Sequence, residues 1–360
     1  MKIKFIKIFS ISFFSLFFGI VCLNYFIDPL QYIRKAFYKP IYMNEARYQV
    51  AALARTSGYD SIILGTSHTL NFKPSTIKDI LGFNSVKLSL SGGSIFEQVI
   101  VANFAFNQAP IKNVIWGLDT AYLPVEEAEV KNAVFPYHLY KSLIQALPKY
   151  LINVGIVRMS LEILLREVFG FKKVAYSSYQ EDLDSYGMFL NDPNQSKILM
   201  EEDKSYYSEK LAHFDENNIN DYIEPHDLYL LKENLKEVTE VIRSYPETRF
   251  YIFCPPYSIS LFRNFHQKGT LNNFLAKHLI IMEEFLKFKN VSLFNFLNKE
   301  IIIMNLNNYR DKTHYWKEIN EEMIYSFKNN ENRVINKEEA LKSIQDLCNM
   351  VNKSNTIYKK

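Results

Sequence analysis

Two short stretches, far apart in the chain, hold residues that could do chemistry. Gly65-Thr66-Ser67-His68 follows an apolar run and places a serine just after a glycine. Tyr309-Arg310-Asp311-Lys312-Thr313-His314-Tyr315-Trp316 lies near the end and sets an aspartate and a histidine three apart. A serine hydroxyl is a weak nucleophile until a neutral imidazole takes its proton. A carboxylate can in turn hold that imidazole in one tautomer and stabilise its charged form. Ser67, His314 and Asp311 are thus the residue types of serine-dependent acyl transfer. Neither stretch is specific alone. Gly-x-Ser also suits a turn that leads into a helix N-cap, and Asp-x-x-His also describes a surface aspartate beside a packed histidine.

Other candidates lie after similar apolar runs. Ser91-Gly92-Gly93-Ser94 could bring a backbone N–H close to a substrate oxygen, and aimed donors of this kind stabilise an oxyanion. Gly92 is the first choice and Gly93 the second; a turn at positive φ would use the same residues. Gly117-Leu118-Asp119 ends another run. An ionised Asp119 only accepts hydrogen bonds and repels an oxyanion, so it must be protonated, orient another group or lie outside the hole. His68 could contact substrate or simply pack. Cys254-Pro255-Pro256-Tyr257 is expected to shape a wall, since no histidine signature marks Cys254 as a nucleophile.

Several function classes are disfavoured. The cysteines Cys22, Cys254 and Cys348 form no CxxC, so neither a zinc site nor a disulfide framework is suggested. His138, His213, His226, His266 and His278 have no metal-ligand spacing, and no HExxH occurs. No Walker-type or dinucleotide glycine string is present. No cofactor and no metal is therefore expected. The net charge is +3 and no basic run interleaves with aromatics, which argues against nucleic acid as a partner.

A scaffold must bring the two stretches together. The 360 residues, 48% hydrophobic and 15% aromatic, suffice for one large domain with an insertion or for two domains. Apolar runs at 60–65, 85–90, 113–118, 248–254 and 291–296 read as buried parallel strands. Helical stretches separate most of them, for example 95–107 and 230–244, which implies βαβ units and a covered parallel sheet. Further helices are expected at 44–55, 321–327 and 337–351. Residues 131–229 break this rhythm, with a helical stretch at 139–168 and a polar, tyrosine-rich, acidic segment at 176–221. They read as an insertion: a lid, a docking surface, a substrate-binding subdomain or a peripheral packing element.

Lys2, Lys4 and Lys7 precede residues 8–27, which carry no charge and include Phe13, Phe14, Phe17 and Phe18. About 20 apolar residues match a hydrocarbon layer of roughly 30 Å. No A-x-A-like cleavage site follows, and Val21 before Cys22 does not suit a lipoprotein signal, so an uncleaved anchor is expected. The N-terminal lysines favour a cytoplasmic N-terminus and an outward-facing body; Arg34, Lys35 and Lys39 weaken that asymmetry.

A serine after the first strand and an Asp-x-x-His after the last resembles the SGNH (GDSL-like) hydrolase superfamily, over residues 57–130 and 230–327. The chain is most similar to the envelope-associated branch that includes DltD-like and alginate-acetylation-type proteins. Asn24-Tyr25-Phe26-Ile27-Asp28-Pro29 matches that branch's span exit, Gly65-Thr66-Ser67 its strand end, and Tyr309 to Tyr315 its terminal block. The resemblance implies an α/β, three-layer flavodoxin-like fold with a five-strand parallel sheet, a largely helical insertion and an N-terminal transmembrane helix. The plan is then an anchor (1–27), a connector (28–56), a first core part (57–130), the insertion (131–229), a second core part (230–330) and a C-terminal helix and tail (331–360).

The same resemblance implies Ser67 as nucleophile, His314 as its base, Asp311 as the orienting carboxylate and Gly92 in the oxyanion hole. Two departures stand out. Asp119 replaces the asparagine that often donates to the oxyanion, and Thr66 replaces the aspartate of the GDSL string. The implied activity is O-acyl transfer, often of acetyl, to or from a cell-envelope polysaccharide. The implied place is the inner membrane, beside a membrane-bound O-acyltransferase. A non-catalytic accessory protein that binds a glycan or that partner is the alternative.

Overall fold

The structure is a computed structural model that describes residues 2–43, 45–123, 135–170, 179–180, 182–188 and 191–357. Residues 124–134, and 176–178, 181, 189 and 190 of the expected acidic segment, lie outside the described residues. In chain order the main elements are α1 (Lys2–Ile27), β1 (Tyr42–Met43), α2 (Ala46–Thr56), β2 (Ser61–Leu64), α3 (Pro74–Leu81), β3 (Ser85–Lys87), α4 (Ile95–Phe106) and β4 (Asn113–Gly117). They continue with α5 (Leu143–Leu151), α6 (Val154–Phe169), β5 (Tyr179–Gln180), α7 (Pro193–Asp203), α8 (Pro225–Ser244) and β6 (Arg249–Cys254). The last are α9 (Ile259–Gln267), α10 (Leu271–Phe285), β7 (Val291–Asn295), α11 (Lys317–Asn329), β8 (Arg333–Val334) and α12 (Lys337–Ile357).

The chain divides into two compact units, Met1–Gly58 with Phe135–Tyr186, and Tyr59–Val134 with Gly187–Lys360. The stretch expected as one insertion therefore contributes to both. In the first unit β1 pairs antiparallel with β5. The chain turns sharply as it leaves α1. Asp28 and Gln31 adopt positive φ, and the Asp28 carboxylate accepts from the N–H groups of Tyr32, Ile33 and Arg34 at 2.8–2.9 Å and from Tyr150 Oη at 2.7 Å. Burial nevertheless pushes the Asp28 carboxyl up, against the pull of those hydrogen bonds. The helical stretch expected at 139–168 is broken into a 3₁₀ turn at Tyr137–Tyr140, α5 and α6. The break has a local cause: the Asn153 side chain accepts from Ile156 N and starts a new helix.

The second unit is an α/β body around a mixed, mostly parallel sheet of six strands in the order β3-β2-β4-β6-β7-β8. The first five are parallel and β8 runs antiparallel to β7. All five expected strands are present. The sheet nonetheless has six, because two-residue β8 is too short to show any alternation. Ile62, Ile63, Leu64, Trp116, Phe250, Ile252 and Phe253 are fully buried along its centre. Each such aliphatic or aromatic side chain gains roughly 1.5–3 kcal/mol from burial. Leu64 pairs with Trp116, and Trp116 with Ile252, so the carboxyl ends of β2, β4 and β6 lie at one level. Residues just past those ends therefore meet: Asp119 touches both Thr66 and Tyr257. The chain goes from β2 outward to β3 and then crosses back over β2 to β4, and such a reversal of strand order is where open α/β sheets bind ligands.

Candidate active site

Gly65 turns the chain out of β2 with φ +141°. A Cβ there would lie 2.7 Å from Thr69 Cγ2 and 2.8 Å from Gly117 O, so only glycine fits. Ser67 then opens a one-turn 3₁₀ helix, Ser67–Thr69. Thr69 ties this turn down: its Oγ1 donates to Thr66 O at 2.8 Å and accepts from the Ser89 hydroxyl at 2.6 Å. Ser67 does not serve as an N-cap. Its Oγ lies 2.8 Å from His314 Nε2, across 247 residues of sequence. Among the described residues its N–H has no acceptor.

The loop bearing His314 is fixed at both ends. Tyr309 and Tyr315 form an antiparallel bridge, Arg310 N donates to His314 O at 2.8 Å, and Ser258 N and Oγ both donate to Lys312 O. Asp311 folds this loop onto itself. Its Oδ1 accepts from Thr313 N and His314 N, each at 2.9 Å, and its oxygens lie 2.8 and 2.9 Å from His314 Nδ1. Burial raises the Asp311 carboxyl, but the His314 hydrogen bond and charge and the two backbone donors outweigh it. The carboxyl is held well below the ordinary range and stays ionised. Ser67, His314 and Asp311 thus form one continuous relay, with the His314 side chain 29% exposed.

A second constellation lies under the first. His68 Nε2 is 3.3 Å from Asp119 Oδ2, and the His68 side chain is only 2% exposed. Its ring stacks on those of His314 and Tyr315 and meets Tyr257 edge-on. The structure therefore turns His68 toward His314 and away from solvent. Asp119 also accepts from Tyr257 Oη and, at 3.4 Å, from Thr66 Oγ1. Burial opposes the charge on Asp119, but the charge and hydrogen bond of His68 and the bond from Tyr257 hold its carboxyl below the ordinary range. Asp119 is an acceptor for three neighbours and donates to nothing. Burial and the Asp119 charge keep the Tyr257 hydroxyl far above its ordinary range, so it remains a donor.

The two glycines differ. Gly93 donates its N–H to Leu90 O at 2.9 Å, and a Cβ there would lie 2.5 Å from Leu90 Cβ; it belongs to the turn. Gly92 is exposed at φ +58°. Ser94 and Glu97 close a reciprocal capping box that starts α4. Cys254 is fully buried and its thiol is pushed up to about 12, which leaves no thiolate to attack anything. Among the described residues no group of His, Cys, Asp and Glu could hold a metal ion.

No protein-family model matches this chain, and no curated protein does. The sequence presents Tyr257 only as part of a wall, Tyr315 only as the end of the terminal block and Asn320 not at all, yet Tyr315 and Asn320 both donate to His68 O at 3.0 Å. The sequence marks Tyr257 only as lying just past an apolar run; its place beside Asp119 depends on the strand register.

Proposed function

We propose that the protein is a membrane-anchored serine acyl-transfer enzyme of SGNH type that acts on a cell-envelope polysaccharide. The observation that carries this reading is the unbroken Ser67–His314–Asp311 relay. By chain position the five parallel strands run 2-1-3-4-5, the order of flavodoxin-like sheets, which supports the fold the resemblance implies. Ser67 Oγ attacks the acyl carbonyl while His314 Nε2 takes its proton, and Asp311 holds the imidazolium through Nδ1. The oxyanion meets the N–H of Ser67 and that of Gly92. His314 then protonates the departing alcohol, which leaves an acyl-Ser67 ester. An acceptor hydroxyl, sugar or water, gives its proton to His314 and attacks that ester. The acceptor takes the acyl group and Ser67 is restored.

The helix α1 supports an inner-membrane location. It has 26 residues and is apolar and long enough to cross a bilayer. With the N-terminal lysines inside, the body works on the extracytoplasmic side, where a membrane-bound O-acyltransferase would deliver acyl groups. One observation favours an accessory role instead: Asp119, an ionised acceptor for three neighbours, supplies no third oxyanion donor. Incubating the detergent-solubilised protein with an activated acetyl ester decides between them. Acetyl trapped on Ser67 is expected, and discharge to an oligosaccharide rather than to water marks a transferase. No adduct on Ser67, with the protein folded, would leave the accessory role.

A further inference from the structure

The apolar length of α1 ends beside an apolar elbow. Residues 11–19 of α1 are exposed, whereas Ile20 to Asn24 are partly or fully covered, and α5 and α6 pack against the helix. Buried Asn24 donates its Nδ2 hydrogen to Leu151 O at 2.7 Å, at the last residue of α5. Immediately beyond, Ile152 is 52% exposed and Val154 is 82% exposed. Asn153, between them, caps α6 and fixes the turn. Ile144 and Pro148, both exposed, sit eight and four residues before Ile152 on one face of α5. Lys149 stands exposed at their rim.

The depth of this elbow follows from α1. If residues 8–27 cross the hydrocarbon, Asn24 lies three residues, about 4.5 Å, inside its outer edge. Tyr25 and Arg34 mark the same level. Tyr25 is 40% exposed, with the Arg34 guanidinium 4.5 Å over its ring, an interfacial aromatic beside a headgroup-seeking cation. Apolar surface exposed at that depth meets lipid. Its composition agrees: aliphatic side chains with one lysine suit acyl chains beneath phosphates, whereas protein interfaces centre on Trp, Tyr and Arg.

We propose that the α5–α6 elbow is a second membrane contact, with Ile144, Pro148, Ile152 and Val154 in the hydrocarbon edge of the leaflet where α1 ends and Lys149 at the headgroups. The proposal rests on the reading of α1 as a membrane span. Two points of attachment hold the first unit at a fixed tilt about the end of α1, which one helix alone does not do.

The test uses the full chain with Cys22→Ala, since Cys254 and Cys348 are buried. A single cysteine replaces Ile152, Val154 or, within α1, Phe14, and carries an environment-sensitive fluorophore. The protein is placed in nanodiscs of phosphatidylethanolamine and phosphatidylglycerol, with and without quencher-bearing acyl chains. Labels at 152 and 154 are expected to be quenched by groups near the glycerol end of the chain, and the label at 14 by groups deeper down. A quenched Phe14 position with water-like emission at 152 and 154 overturns the elbow and leaves the span standing. Blue-shifted but unquenched labels at 152 and 154 mean that protein covers the elbow, and overturn the lipid contact as well. An unquenched label at 14 removes the span, and the proposal with it.

Discussion

The imidazole of His68 lies nearly parallel to that of His314, with 5.2 Å between ring centres and 19° between planes. His68 cannot drift, because Asp119 holds its Nε2 while Tyr315 and Asn320 hold its carbonyl. His314 therefore rests on a rigid floor that the nucleophile's own neighbour in sequence provides. His68→Ala should remove that floor and lower kcat on an activated ester about 10–100-fold with little change in KM, since misplaced catalytic groups cost on this scale. His68→Phe keeps a flat ring and should recover part of the loss. Equal kcat in all three proteins would show that the stack does nothing for His314.

The relay predicts a non-additive pattern. Ser67→Ala and His314→Ala should each lower turnover by roughly 10⁶-fold, and the double variant should be no worse, because the residues act as one unit. Both should fold normally, as judged by circular dichroism. In the host, each should abolish acyl-ester changes on the surface polysaccharide. Unchanged acylation in both would move the protein to the accessory role.

Gly65→Ala separates chemistry from general packing. Its φ of +141° and the 2.8 Å approach to Gly117 O leave no room for a Cβ. The variant has to shift the turn that aims Ser67, at a strain cost of about 1–3 kcal/mol. Activity should fall far more than thermal stability does. Gly82→Ala is the control: its φ is +76° and its Cβ would meet nothing within 4 Å, so it carries the backbone strain without touching the site.

How much of this was legible beforehand differs by element. The strands β2, β4 and β6 are short apolar runs with no polar interruption, so burial on both faces shows directly in composition. Ser67 directly follows such a run, and Asp311 and His314 come after the last of them, so residue type and chain order alone could pair the three. The environment of Asp119 was not legible. Its partners come from residues 66, 68 and 257, and nothing in sequence spacing says that β2, β4 and β6 end level with one another. The burial of His68 was hidden for the same reason: the rings that cover it come from 314 and 315. β8 escaped because two residues hold no pattern.

Acid stability should be governed in part by a histidine remote from the relay. His278 is buried on α10, with Nε2 3.3 Å from Asn295 Oδ1 and its ring stacked on Phe274. Burial pushes its imidazole down from 6.5 to about 4, only partly offset by the Asn295 bond. The folded pKa is thus depressed, and the sign follows. Above pH 6.5 the residue is neutral in both states and stability does not depend on it. As pH falls below 6.5, the unfolded chain takes up a proton that the folded protein refuses, so stability declines until the folded state titrates near 4. At about 1.4 kcal/mol per pH unit, the loss over this window is about 3 kcal/mol. The melting temperature of the wild type should therefore fall between pH 6.5 and 4. His278→Phe fills the same apolar site with a ring that carries no proton, and its profile should be markedly flatter over that window. Parallel profiles for the two proteins would mean that His278 is not the group whose protonation the fold resists.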